Sequence, residues 1–298
     1  MNHDLQFDYT TIGHVTVDVL DDGSRRPGGS AFYSALQAAR LGLRALIITR
    51  GLAPEIEQLL DPHRDELELK ILPAPHTTTL RTTGSGASRS QQLLEWAGPI
   101  TEQLELDTSI LHLAPVARES PARWLGRASF VGLTPQGLAR QWAAGGGQIA
   151  SVCPTRDAAA VAARCNAIVV NEHERSSCRE LIDAASKAVV VVTAGARPST
   201  ILVPGHAAPE QAVAERTAPG RTAITIAVPM LEQPVDDLGA GDVFAAAFFI
   251  ALSDGRSPLQ AAGFANAAAA VRMSGSGADA IGGRDAIEAR LSRVAPAR

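Results

Sequence analysis

Short apolar runs alternate along the chain with longer amphipathic stretches, the pattern that repeated strand-helix units around a buried parallel sheet leave in a sequence. The runs Tyr9–Val15, Ala45–Thr49, Ile110–Leu113, Phe130–Leu133, Gln148–Val152, Ala167–Val170 and Ala188–Thr193 are short and mostly rich in β-branched residues, which predicts strands. Between them, Ser30–Leu41, Pro121–Ala128, Thr134–Ala144, Ala158–Arg164, Glu172–Ala184, Gly241–Leu252, Pro258–Met273 and Arg284–Arg293 predict helices. Gly42, Gly145 and Gly255 stand where helices should stop. The fold class expected is α/β.

Two stretches break that rhythm and predict hairpins. Val15–Leu20 runs into the tight-turn tripeptide Asp21-Asp22-Gly23, and Thr77–Thr83 and Ser88–Trp96 flank Gly84-Ser85-Gly86-Ala87. Strands standing off a parallel sheet, here about 15–27 and 77–97, would make a small lid over one end. No internal repeat, heptad or long linker interrupts the chain, so residues 1–298 are expected to form a single domain.

Composition narrows the function classes. The 298 residues are 46% hydrophobic and 19% charged with a formal charge of −4, which excludes general disorder and offers no basic surplus for nucleic acid. Cys153, Cys165 and Cys178 are odd in number and lack zinc spacing, as expected in a reducing cytoplasm. The N-terminus has no signal-like pattern, and the longest apolar run, Ala245–Leu252, is far short of the ~20 residues that span a bilayer. The expectation is a cytoplasmic protein without a membrane partner.

The sharpest local feature is Val235-Asp236-Asp237-Leu238-Gly239-Ala240-Gly241-Asp242, followed at once by an apolar helix. A Gly-Ala-Gly turn lets backbone amides approach an anion, and the helix N-terminus favours negative charge there. Asp242 beside it could accept a proton from an attacking hydroxyl while the amides stabilise a transferring phosphoryl group. The same residues would equally serve a tight turn and a helix cap. A second Gly-rich element, Pro27-Gly28-Gly29-Ser30, precedes the helix that starts near Ala31, where a polyol could lie against the backbone. Asp18, at a strand end, could accept hydrogen bonds from its hydroxyls, although such an aspartate also suits plain solvation.

These residues resemble the PfkB (ribokinase-like) carbohydrate kinases. Pro27-Gly28-Gly29 leading to Ala35, with Ala38-Ala39-Arg40-Leu41-Gly42, is similar to one family signature, and Asp236 through Asp242 to the other. Asn171-Glu172-His173-Glu174 fits the family's Asn-x-x-Glu element, Thr193-Ala194-Gly195 its Thr-x-Gly strand end, and Phe264 through Ala269 its late nucleotide-side helix. The resemblance implies a doubly wound, mostly parallel sheet flanked by helices, with a β-hairpin lid, and ATP-dependent phosphorylation of a hydroxyl on a sugar-like substrate. It implies Asp242 as the base and Gly239, Ala240 and Gly241 as the anion hole. Asp18, Gly28 and Gly29 would hold the acceptor. Asn171 and Glu174 would organise Mg2+ and phosphate through water, and Thr193, Gly195 and Asn266 would lie along the nucleotide. Asp236 is the candidate for a monovalent-cation ligand, a role put in question by Asp237-Leu238 in place of the family's usual pair.

Gly13-His14-x-x-x-Asp18, Gly29 through Leu36, Thr77-Thr78-Thr79, Ala114-Pro115-Val116-Ala117-x-Glu119 and Gln136-Gly137-x-x-Arg140 resemble the inositol kinase branch. Four-residue spacing would put Gln136 and Arg140 on one helical face, aimed into one acceptor pocket. Tyr33 stands where ribokinase carries asparagine, against a pentose held in the ribokinase manner. The acceptor expected is a sugar or cyclic polyol such as myo-inositol. The alternatives are a catalytically silent regulatory protein and a nucleoside kinase. Open lid edges would allow a homodimer.

Competing motifs fail on context. No G-x-x-x-x-G-K-[ST] is present, and Gly275 through Ala280 satisfies G-x-G-x-x-A but follows a helical stretch. His14, His112 and His173 lack metal spacing, and His112 inside an apolar strand reads as a core residue. Ser30 has no nucleophile-elbow surroundings.

Overall fold

The structure is a computed structural model that describes residues 6–120, 124–205, 214–217, 220–228 and 234–292. The N-terminal half contains β1 (Phe7–Ile12), β2 (Thr16–Val19), β3 (Arg25–Gly28), α1 (Ser30–Arg40), β4 (Ala45–Gly51), α2 (Ala53–Leu60) and β5 (Glu68–Pro73). It continues with β6 (Thr79–Thr83), β7 (Ser90–Glu95), β8 (Leu104–Leu113) and β9 (Trp124–Leu133). Next come β10 (Arg140–Gln141), β11 (Gly147–Gln148), β12 (Ala150–Ser151), α3 (Arg156–Ala162), β13 (Ala167–Asn171), α4 (Glu172–Arg175) and α5 (Arg179–Ala184). The chain ends with β14 (Val189–Ala194), β15 (Arg197–Pro204), β16 (Ala214–Thr217), β17 (Arg221–Ile226), α6 (Ala240–Ser253), α7 (Pro258–Met273) and α8 (Arg284–Ser292).

The large sheet runs β16-β17-β15-β14-β13-β9-β8-β1-β4-β5. From β5 across to β14 every pair is parallel, and β15, β17 and β16 continue it antiparallel. Alternation along the central strands feeds both faces. Tyr9 and Ile47 join a core shared with α1, α2, α6, α7 and α8, whereas Ile12 and Ile48 join one shared with α3 and α5. α6 is apolar on nearly every side, so it is buried between the sheet layer, α1 and α7. A capping box of Ser257 and Gln260, with Pro258 in the first turn, starts α7. This is the α/β architecture expected, a mostly parallel sheet with helices on both faces.

A second sheet, β11-β7-β6-β2-β3, contains both segments expected to stand off the main one. β2 and β3 form the hairpin around Asp21-Asp22-Gly23, and β6 and β7 the one around residues 84–89. This sheet faces the carboxyl ends of the parallel strands, where α/β folds hold their ligands.

Several elements differ from expectation. The helix predicted at Thr134–Ala144 is instead a 3₁₀ turn, Pro135–Ala139, followed by β10. Gly137 donates to Pro115 O (2.9 Å) and accepts from Arg118 N (3.2 Å), so tertiary hydrogen bonds capture the backbone a helix would need. Of the helix predicted at Pro121–Ala128, residues 121–123 lie outside the described residues, and the rest is the first half of β9, paired with β8. Gln148–Val152 divides into β11 and β12, and Glu172–Ala184 into α4 and α5. Among the described residues no helix is long and apolar enough to cross a membrane.

Candidate active site

Between the large sheet and the lid lies a cavity of about 410 Å³, lined among others by Asp18, Gly29, Gln136, Arg140, Asn171, Glu174, Gly239 and Asp242. Strand ends and helix starts supply these residues from positions more than two hundred apart in sequence.

Asp242 lies in the first turn of α6, capped by Gly239 at φ 78°. A side chain at Gly239 would be strained by that φ, and a Cβ would stand 2.4 Å from the Tyr33 ring, so the turn requires glycine. The Ser30 side chain hydrogen-bonds the Asp242 carboxylate, and Ser34 Oγ donates to Asp242 O at 3.1 Å, tying α6 to α1. Burial pushes the Asp242 carboxyl up, Ser30 and Arg140 pull it down, Glu174 and Asp18 add to the rise, and the result is about 6.

Of the turn expected to form the anion hole, Gly239 lines the cavity. Ala240 gives its amide to Asp237 O (3.2 Å), and Gly241 is exposed outside the lining.

Asp18 is 3% exposed at the end of β2, where Thr16 Oγ1 donates to its Oδ1 at 2.8 Å. Burial raises its carboxyl to about 6, opposed by Thr16, Arg140 and Arg89. A Cβ on Gly28 would come within 2.2 Å of Asp18 Oδ2, so this glycine makes room for the carboxylate and stays out of the lining. Gly29 adopts φ +93°, and a Cβ there would meet His14 O at 2.2 Å.

Gln136 and Arg140 share no α-helical face, because the helix is absent; both nonetheless line the cavity. Gln136 hydrogen-bonds Glu174. Arg140 donates to Val116 O (2.9 Å) and to Gln91 Oε1 of the lid (2.6 Å), which leaves its cation among Glu174, Glu119, Asp242 and Asp18.

Asn171 and Glu174 form a capping box: Asn171 Oδ1 accepts from Glu174 N (2.9 Å), and Asn171 N donates to Glu174 Oε2 (3.2 Å). Burial raises the Glu174 carboxyl. Thr193 Oγ1 donates to Val170 O (3.3 Å), Gly195 turns β14 into β15 at φ +63°, and buried Asn266 donates to Ala227 O (3.4 Å). These three are not part of the cavity lining.

Asp236 is fully engaged. Its Oδ1 accepts from Leu238 N (2.9 Å), and its Oδ2 accepts from Gly277 N and Arg272 Nη2 (both 3.0 Å). Burial raises its carboxyl, but these donors together hold it below the ordinary range.

Sequence reasoning missed Arg89, which lines the cavity from the lid and pairs with Asp237, and Arg272, buried behind the Gly239 turn. The available signal for Arg272 was a charge inside an alanine-rich apolar helix. His112 is a core residue, between Tyr9 Oη (2.8 Å) and Thr134 Oγ1 (3.0 Å), and burial lowers it to about 3. Glu119 is 1% exposed and accepts from the amides of His14 (2.8 Å), Val116 (2.7 Å) and Ala117 (2.5 Å), so its work is to hold two loops together.

Residues 147–281 match the model of the pfkB family carbohydrate kinases. No curated protein sequence matches the chain. Among solved structures, a pyrophosphate-dependent kinase in the ribokinase family, complexed with a pyrophosphate analogue and myo-inositol, aligns with TM-score 0.70 at 20% identity, covering 94% of this chain and 99% of that one. The ribokinase of Arabidopsis thaliana, complexed with ribose and ATP, aligns with TM-score 0.65 at 17% identity over 96% and 98% of the two chains. Fructokinase from Vibrio cholerae O395, bound to fructose, ADP and calcium, gives 0.64 at 19% over 95% and 99%. Family match and fold point the same way: residues 147–281 are similar to the pfkB family carbohydrate kinases, and the chain is built on the ribokinase fold.

Proposed function

We propose that the protein transfers a phosphoryl group to a hydroxyl of a small sugar or cyclic polyol, with myo-inositol the first acceptor to test. The observation that carries this reading is the Asp242 carboxylate at the mouth of α6, in one cavity with Asp18, Gln136 and Arg140. In the proposed reaction Asp18 accepts hydrogen bonds from acceptor hydroxyls, and Arg140 and Gln136 donate others. Asp242 takes the proton of the attacking hydroxyl as its oxygen bonds to phosphorus and the bond to the donor's bridging oxygen breaks. The α6 N-terminus, with Gly239 at the cavity wall, stabilises the charge on the transferring group. The lid aligns the reactants and keeps water out.

Magnesium fits the residues present. Glu174 and Asp242 bring carboxylates to the cavity lining, and magnesium takes one or two carboxylates and fills its octahedron with water and donor phosphates. Glu174, steadied by Asn171, would hold it through water. Bound there, it would offset charge on the donor phosphates.

ATP is the donor the motifs imply. Pyrophosphate is a second reading, because Thr193, Gly195 and Asn266 lie outside the cavity lining and the pyrophosphate-dependent relative aligns over nearly the whole chain. Purified protein with magnesium, either donor and a panel of polyols, sugars and nucleosides is expected to phosphorylate a polyol or sugar. Ligand binding without turnover across the panel, with both donors, would favour a regulatory role.

A further inference from the structure

Arg272 is among the most completely buried side chains of the protein, at 0% exposure, although it is a cation on an alanine-rich helix. Its guanidinium points into a ring of oxygens. Nη1 donates to Asp236 O (3.3 Å) and Gly275 O (3.2 Å), and Nη2 to Asp236 Oδ2 (3.0 Å) and Leu238 O (2.7 Å). One carboxylate and three main-chain carbonyls converging on a single positive charge is the donor chemistry that a dehydrated monovalent cation takes. The residues around Asp236 therefore do not fit such a cation, because the place is filled. Arg26 Nη1, 3.8 Å from Asp236 Oδ2, adds a second positive charge that would repel an incoming ion.

The contact with Leu238 bears on the site itself. In a trans peptide the C=O and N–H point in opposite directions, so drawing Leu238 O onto Arg272 turns the Gly239 N–H away from it. Gly239 lines the same cavity as Asp242, the proposed base. The Tyr33 ring, which lines the cavity, has its centroid 5.7 Å from the guanidinium carbon.

We propose that Arg272 is a built-in replacement for an activating monovalent cation: it fixes the Leu238–Gly239 peptide and makes phosphoryl transfer independent of potassium. This rests on the kinase reading above, and Arg272 is a positioning residue because it acts through Gly239.

The test compares the wild-type protein in potassium chloride and in choline chloride at equal ionic strength, by initial rate and by thermal melting. Rates agreeing within about threefold and melting temperatures within about 2 °C are expected; a larger rise of either in potassium overturns the proposal. Melting reads occupancy of the oxygen ring without turnover, so a protein that phosphorylates nothing still answers that arm. Arg272→Ala is expected to lower kcat about tenfold or more with acceptor KM little changed, and potassium should recover part of the loss. Arg272→Lys serves if the alanine variant does not fold, and is expected to keep the fold but lose kcat, because a point charge cannot serve oxygens on two sides. Wild-type kcat in a folded variant without potassium would also overturn it.

Discussion

Asp237 joins the two halves of the site: its carboxylate pairs with the Arg89 guanidinium and accepts from Gly86 N at 2.9 Å, so the lid hairpin is fastened to the turn that starts α6. Both side chains are partly exposed, so the pair is worth only ~1 kcal/mol to the fold. Its larger effect falls on closure. Arg89→Ala is expected to raise acceptor KM and donor hydrolysis without acceptor by about fivefold, with the melting temperature little changed, as read by paired acceptor-dependent and acceptor-free assays. Unchanged coupling would show that the lid holds without this pair.

Asp242→Asn keeps the shape and an acceptor for Ser30 but removes the base. Transfer is expected to fall by ~10²–10⁴ with binding of the acceptor retained, measured by turnover and by calorimetry. Residual activity near wild type would move the base elsewhere.

The Asp242 carboxyl sits at about 6 in the folded protein against 3.8 for an ordinary aspartate. Activity should therefore rise with pH through about 6, as the base ionises, and then level. Stability runs the other way: a raised carboxyl favours the fold while protonated, and that advantage is lost as pH climbs from about 4 through 6. Asp242→Asn is thus expected to melt higher than wild type at pH 7.5, by roughly 1–3 kcal/mol, and to lose that margin near pH 4. Parallel melts at both pH values decide it.

Gly29→Ala places a side chain at φ +93° and 2.2 Å from a backbone oxygen that cannot swing aside. A loss of about 2–4 kcal/mol in unfolding free energy is expected by denaturant titration, whereas Gly42→Ala, with open space around it but also at positive φ, should cost only about 1.

The central strands and the long helices were legible because each is one unbroken stretch of a single character, β-branched and apolar in Val189–Ala194, alanine-rich behind a Ser-Pro start in Pro258–Met273. What failed did so for tertiary reasons. Residues 134–144 read as a helix from local pattern, yet the loop after β8 takes their hydrogen bonds. β5 was missed because half of it faces solvent, and β15 because its buried apolar run, Ile201–Val203, is only three residues long. At the site, Asp242 and Asp18 stood out through glycines beside them, but Arg89 and Arg272 acquire meaning only from partners 148 and 36 residues away. The Asn171–Glu174 spacing was ambiguous by nature, since a capping box and a water-mediated metal ligand ask for the same residues three positions apart in the chain.

α6 is the apolar rod on which both core and chemistry close, and it is translated after every strand of the sheet. A growing chain that has emerged only as far as β17 presents α1 and the sheet face with their greasy surfaces bare, and no carboxylate at position 242. Burial of that surface and acquisition of the base then happen in one event, so a product truncated before α6 would be sticky and inert together, and chaperone demand should peak just before α6 leaves the ribosome.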